Sequence, residues 1–175
     1  KLLDGAIVIS PPVNTVDVAP TFHKLLGGFY AAHFVKTLKP KALDLLKRHP
    51  GLFDEAAVRA AHDFYTFDDA VTSQLYGYKD AEDYWRQNAC GPFLPGIRIP
   101  TALIISSDDQ FVLPEYMPRE AADNSPYLYP LFTDKGGHAA FVSGPLPCCA
   151  RYWYEEQSLR FLKAILKRKL GTHKE

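Results

Sequence analysis

Thr101-Ala102-Leu103-Ile104-Ile105, with Pro100 before it and Ser106-Ser107-Asp108-Asp109 after it, is the stretch that decides the fold. It is apolar or β-branched throughout and does not alternate. A strand with one wet face alternates, so a continuous run bounded by breakers predicts a strand buried on both faces, as in a parallel sheet. Toward the N-terminus, Gly5-Ala6-Ile7-Val8-Ile9-Ser10 repeats the pattern and stops at Pro11-Pro12. Toward the C-terminus, Tyr127-Leu128-Tyr129-Pro130-Leu131-Phe132 is a weaker third run, because Pro130 lacks the N–H that a central ladder position needs.

Helical patterns fill the spaces between these runs. Asp54 caps a predicted helix over 54–64, with Phe53 and Val58 spaced as a hydrophobic staple. Asp80 opens a second, carrying Tyr84 and Trp85 and closed by Gly91-Pro92. Residues 114–124 read as a helix between the second and third strands. A last helix over 152–170 sets Leu159, Leu162, Ile165, Leu166 and Leu170 on one stripe, with Lys167, Arg168 and Lys169 at its C-terminal end. Strands alternating with helices predict an α/β fold with a mostly parallel sheet, interrupted by a long helical insertion over 20–90.

Composition narrows the function classes. The chain has 175 residues, enough for one core and too few for two ordinary domains. Twenty Lys+Arg balance twenty Asp+Glu, which argues against a nucleic-acid partner. No apolar run approaches the roughly 20 residues of a transmembrane helix, and no signal-peptide pattern opens the chain. Three cysteines, with Cys148 and Cys149 adjacent, make no disulfide framework and suit a reducing compartment, so a cytoplasmic location is expected. The chain begins at Lys1 and its single methionine is Met117, the pattern expected of a processed product or the rear part of something longer.

The chemistry is expected where strands end, since open α/β sheets place their sites at the carboxyl edge. Ser106-Ser107-Asp108-Asp109-Gln110-Phe111-Val112 follows one strand, and Asp134-Lys135-Gly136-Gly137-His138-Ala139-Ala140-Phe141 follows the next. An acid from the first loop and His138 from the second can meet as a pair. In such a pair the carboxylate fixes the imidazole tautomer and stabilises the imidazolium. Asp108 and Asp109 both qualify as the acid on spacing alone.

These stretches, with Phe67-Asp68-Asp69-Ala70-Val71-Thr72, Ala81-Glu82-Asp83-Tyr84-Trp85, Ile99-Pro100 and Ser10-Pro11-Pro12, resemble the YheT-like branch of the α/β-hydrolase superfamily. The resemblance covers most of the chain. It implies an α/β-hydrolase fold of which residues 1–175 are the C-terminal part, with 20–90 as a helical cap. It further implies a carboxylesterase or lipase type of serine hydrolase with a Ser–Asp–His triad, acting on a small ester or lipid-like acyl substrate without a cofactor or metal. In that frame Asp109 matches the acid better than Asp108, because the family's acid precedes a short apolar segment such as Phe111-Val112, and His138 matches the general base.

The family's G-x-S-x-G nucleophile elbow is missing: no serine here has glycines two residues before and after it. The nucleophile is therefore expected upstream of Lys1, or on a partner chain that completes the sheet, and the chain alone is expected to be inactive. The alternative is a non-catalytic α/β binding module. Gln110 and Ala140 also depart from the family's pattern, which commonly has proline after the acid and glycine two residues after the histidine.

Other candidates read as structural. Adjacent Asp68 and Asp69 are expected to face solvent or cap a helix. His23, His33, His49 and His62 lack metal-ligand spacing. Cys90 reads as a small packed side chain. Gly27-Gly28 reads as a helix break. Tyr76, Tyr78, Tyr84 and Trp85 either line an acyl pocket or cement the insertion.

Overall fold

The structure is a computed structural model and describes residues 2–24, 28–139, 141–144 and 149–171. Its sheet has three parallel strands: β1 (Ala6–Ile9), β2 (Thr101–Ser106) and β3 (Leu128–Thr133), with β2 in the middle. Ile9 pairs with Ile104, and Ser106 with Thr133. Every residue of β2 is buried, as its continuous apolar run requires. β1 is only half-buried along its length, because in this sheet it has a neighbour on one side alone. β3 occupies the other edge, where Pro130 is tolerated. Val142–Ser143 (β4) and Arg151–Tyr152 (β5) form a small antiparallel pair.

The chain divides into two compact units, one of residues 1–13 with 90–175 and one of residues 14–89. The second unit is helical. It holds α1 (Thr15–Lys24), α2 (Phe29–Arg48), α3 (Glu55–Ala60), α4 (Phe64–Phe67), a π-helical turn at Asp68–Thr72, α5 (Ser73–Tyr76) and α6 (Ala81–Asn88). The helical stretch starts five residues before position 20. Asn14 caps it by accepting from Asp17 N–H, and Pro20 falls inside α1. Gly28, at φ 83°, immediately precedes α2, while Gly27 and the side chain of His23 lie outside the described residues.

The helix expected over 54–64 is two helices. Asp54 does cap the first, accepting from Ala56 N–H, and Phe53 and Val58 share one buried cluster. Asp63 then imposes a second start through a capping box with Thr66, so the backbone is extended at Ala61. Asp80 caps α6 by accepting from Asp83 N–H.

In the sheet-bearing unit a 3₁₀ turn (Gly91–Gly96) leads toward β2. Between β2 and β3 the helix expected over 114–124 is likewise split, into a 3₁₀ turn (Pro114–Tyr116) and α7 (Arg119–Asp123). Pro118 stands at the break. In the last helix, α8 (Trp153–Gly171), only Ile165 of the expected stripe is turned inward. Phe161 and Ile165 are half-buried, and the Phe161 ring lies 5.4 Å from that of Tyr129. A Cβ on Gly5 would meet Ile165, so the residue just before β1 lies close against α8. Leu159, Leu162, Leu166 and Leu170 stay exposed. No helix among the described residues is long and apolar enough to cross a membrane.

Candidate active site

Two loops leave the carboxyl ends of β2 and β3 side by side. The ladder continues one step past the strands, with Ser107 N–H donating to Thr133 O at 2.8 Å and its hydroxyl donating to Asp134 O at 3.2 Å. The first loop is pinned from below by Val112 and Met117, which join Ile105 in a buried cluster. Within it Asp109 is 2% exposed, and its Oδ1 accepts from Phe111 N–H at 2.7 Å. A buried carboxylate needs such donors to offset the hydration it loses.

The second loop brings His138 to that carboxylate. Its Nδ1 lies 3.2 Å from Asp109 Oδ1 and 3.1 Å from Oδ2, while 44% of the imidazole side chain remains open. The Phe111 ring meets the imidazole edge-on, with centroids 4.5 Å apart, and limits its tilt. A carboxylate on Nδ1 selects the Nδ1–H tautomer, which leaves Nε2 as the basic nitrogen. The arrangement can accept a proton at Nε2 and stabilise the cation that results.

Asp108 takes a different partner. Its Oδ1 accepts from Gly136 N–H at 2.9 Å and Gly137 N–H at 2.8 Å, and also from the buried Ser106 hydroxyl. That hydroxyl, followed by the glycine amides, holds the Asp108 carboxyl below the usual carboxylate range. The two adjacent acids thus divide: Asp109 faces His138 and Asp108 faces the glycine turn.

Both glycines are demanded by the turn, for different reasons. Gly137 sits at φ 62°, and a Cβ on Gly136 would lie 2.3 Å from the Phe141 ring. Phe141 is itself buried at φ 41° and donates its N–H to Gly136 O at 3.0 Å. Ala140 lies outside the described residues, as do Pro145, Pro147 and Cys148; Cys149 is exposed.

Ser10, at the end of β1, carries two oddities: φ is 44°, and its buried hydroxyl has no hydrogen-bond partner among the described residues. Sequence reasoning passed over this strain, the clamp at Asp108 and the ring of Phe111. The Ser106-x-Asp108 spacing was the one local signal for the clamp, because Ser and Asp two residues apart can bond within a turn.

The remaining candidates stay structural. Asp68 does not face solvent: it accepts from Trp85 Nε1–H at 2.8 Å and Thr72 hydroxyl at 2.7 Å, and burial pushes its carboxyl up. Asp69 accepts from Ala81 N–H at the start of α6, a capping contact. Trp85 is buried inside the helical unit, whereas Tyr76 is exposed. Burial pushes the Cys90 thiol up, the opposite of what a thiolate nucleophile requires. Among the described residues no group of three or more His, Cys, Asp or Glu is placed to hold a metal ion.

Parallel strands with helical connections, carrying polar loops at their carboxyl edge, define the α/β class of enzyme-bearing folds. Within that class the chain belongs to the α/β hydrolase fold family, whose pattern matches residues 4–145. It is 29% identical over 95% of its length to YheT of Escherichia coli K12, a protein named as an esterase, covering 49% of that protein. It is 28% identical over 92% of its length to a monoacylglycerol lipase of Saccharomyces cerevisiae and 27% over 86% to the human phospholipase ABHD3, covering 36% and 37% of them. The chain thus spans half or less of these relatives. A thermophilic esterase from Thermogutta terrifontis aligns over 98% of this chain and 57% of its own, at 17% identity and a TM-score of 0.33.

Proposed function

We propose that the chain carries the proton-relay half of a serine hydrolase acting on carboxylic esters, with residues 20–90 as the family's cap insertion. The observation that carries this reading is the buried Asp109 carboxylate facing Nδ1 of a half-open His138. The nucleophile is a serine on a G-x-S-x-G elbow in a segment preceding Lys1.

In the complete protein that serine's Oγ attacks the acyl carbon while His138 Nε2 takes its proton. Asp109 holds the Nδ1–H and stabilises the imidazolium. Collapse of the tetrahedral adduct breaks the ester C–O bond, and His138 returns the proton to the departing alcohol. Water then attacks the acyl-serine with His138 as base, which frees the carboxylic acid and restores the serine. No step needs a metal or cofactor. Names such as lipase and phospholipase among the relatives favour a lipid-like acyl group as substrate.

The test is turnover of p-nitrophenyl butyrate by the complete protein. By the magnitude typical of triads, Asp109→Asn lowers kcat by about 10⁴-fold and His138→Ala abolishes hydrolysis to a similar extent. The 175-residue chain alone turns nothing over. Hydrolysis by His138→Ala at the wild-type rate overturns the reading and favours the binding-module alternative.

A further inference from the structure

Asp108 joins two anchors. On one side its Oδ1 accepts from the hydroxyl of Ser106, the last and fully buried residue of β2. On the other it accepts from the amides of Gly136 and Gly137, the two residues immediately before His138. Among the described residues the histidine loop has few other ties to the sheet. Ser107 reaches Asp134 O, and the Phe141 N–H that donates to Gly136 O closes the turn on itself without reaching the sheet. Without a fixed point at the glycines, a partly exposed imidazole would drift relative to Asp109.

We propose that Asp108 is a positioning residue for the relay, a carboxylate latch that ties the Gly136-Gly137 turn to the end of β2 and so sets where the His138 ring meets Asp109. The latch rests on the serine-hydrolase reading only for its effect on turnover; its structural half stands apart from it. A carboxylate suits the task because hydrogen bonds to an ionised acceptor are roughly twice as strong as neutral ones. The donors also hold this carboxyl below its usual range, so it stays ionised wherever an imidazole is neutral and able to act as base. One oxygen gathering three donors leaves the turn little freedom to slide.

The test compares Asp108→Ala, which removes the acceptor, with Asp108→Asn, which keeps an acceptor oxygen and loses the charge. In the complete protein, Asp108→Ala lowers kcat on p-nitrophenyl butyrate by about 100-fold, the scale of a misplacement near 1 Å, and leaves KM within about twofold. Asp108→Asn recovers part of the loss, to about tenfold below wild type. NMR supplies the independent readout. In the wild type the Gly136 and Gly137 amide protons follow the titration of Asp108, and in Asp108→Asn that response vanishes. The His138 ring protons, shifted by the nearby Phe111 ring, move toward unshifted positions in Asp108→Ala. Wild-type kcat together with unmoved His138 signals in Asp108→Ala overturns the latch. If His138→Ala keeps full activity, the hydrolase reading falls, and the two NMR readouts still decide whether Asp108 holds the loop. Should Asp108→Ala fail to fold, Asp108→Asn and the amide titration carry the decision.

Discussion

Adding one methyl group to each glycine of the histidine turn separates two physical reasons for a Gly-Gly pair. At Gly136 the obstacle is space. The new Cβ would lie 2.3 Å and 2.6 Å from Cδ1 and Cε1 of Phe141. That ring is 3% exposed and stacks on Trp153 at 6.1 Å, and its backbone is held at φ 41°, so it has no room to retreat. Overpacking of this kind costs about 1–3 kcal/mol. At Gly137 the space is open, with none of the described residues beyond its chain neighbours within 4 Å of the added Cβ, and the obstacle is the left-handed backbone at φ 62°. An L-residue there costs roughly 1–2 kcal/mol, less for asparagine. Gly136→Ala and Gly137→Ala are thus expected to lower stability by similar amounts, but rescue tells them apart. Gly137→Asn recovers most of the loss, and Gly136→Asn recovers none. In a Phe141→Ala background, itself about 3–5 kcal/mol less stable, Gly136→Ala adds under about 0.5 kcal/mol because the clashing ring is gone. Urea midpoints at constant m-value measure the series. Additive losses in Gly136→Ala/Phe141→Ala, or equal midpoints for Gly137→Asn and Gly137→Ala, would refute the reasoning.

Three further outcomes are expected. Ser10→Gly raises stability by about 1 kcal/mol in thermal unfolding, since relief of the positive φ and of an orphaned buried hydroxyl outweighs glycine's entropy cost. Asp68, whose carboxyl is raised chiefly by burial, binds its proton more tightly folded than unfolded, so its site gains stability as pH falls from neutral through the folded value toward the unfolded one. Asp68→Asn removes that slope in pH-dependent urea titrations, and Trp85→Phe, which strips a donor from the carboxylate, costs about 1–3 kcal/mol at neutral pH. On α8 in this chain, Leu162→Ala changes the urea midpoint by less than the equivalent of about 0.5 kcal/mol, while Ile165→Ala costs about 1–2 kcal/mol, because only Ile165 is turned inward.

What could be read in advance follows the range of the forces involved. β2 announces itself because five apolar or β-branched residues in a row need no partner to be recognised. β1 has the same apolar character yet is half-buried, since burial depends on neighbours that a local pattern does not contain. The caps at Asp54 and Asp80 were legible, as their acceptors serve amides two or three residues away. The interruption at Ala61 was hidden because the Asp63 capping box competes with continuation of the helix, and propensity alone does not rank the two. Four exposed leucines shared the expected stripe on α8 with Ile165, but the sheet takes the side bearing Ile165 and Phe161. At the site, the meeting of His138 with one of two adjacent acids was legible from their places after successive strands, while spacing left Asp108 and Asp109 open and only the family resemblance preferred Asp109. Asp108's partners lie 28 and 29 residues away, and the ring that forbids a side chain at Gly136 is reached only through a residue in a left-handed conformation. Such contacts become visible only when the loops are folded together.

Covalent labelling with a fluorophosphonate tests whether Asp109 and His138 activate a serine outside residues 1–175. The complete protein is expected to be labelled at a serine upstream of Lys1, His138→Ala to abolish the labelling, and the 175-residue chain alone to take up no label. Labelling of His138→Ala at the wild-type rate, or of a serine within residues 1–175, would contradict it.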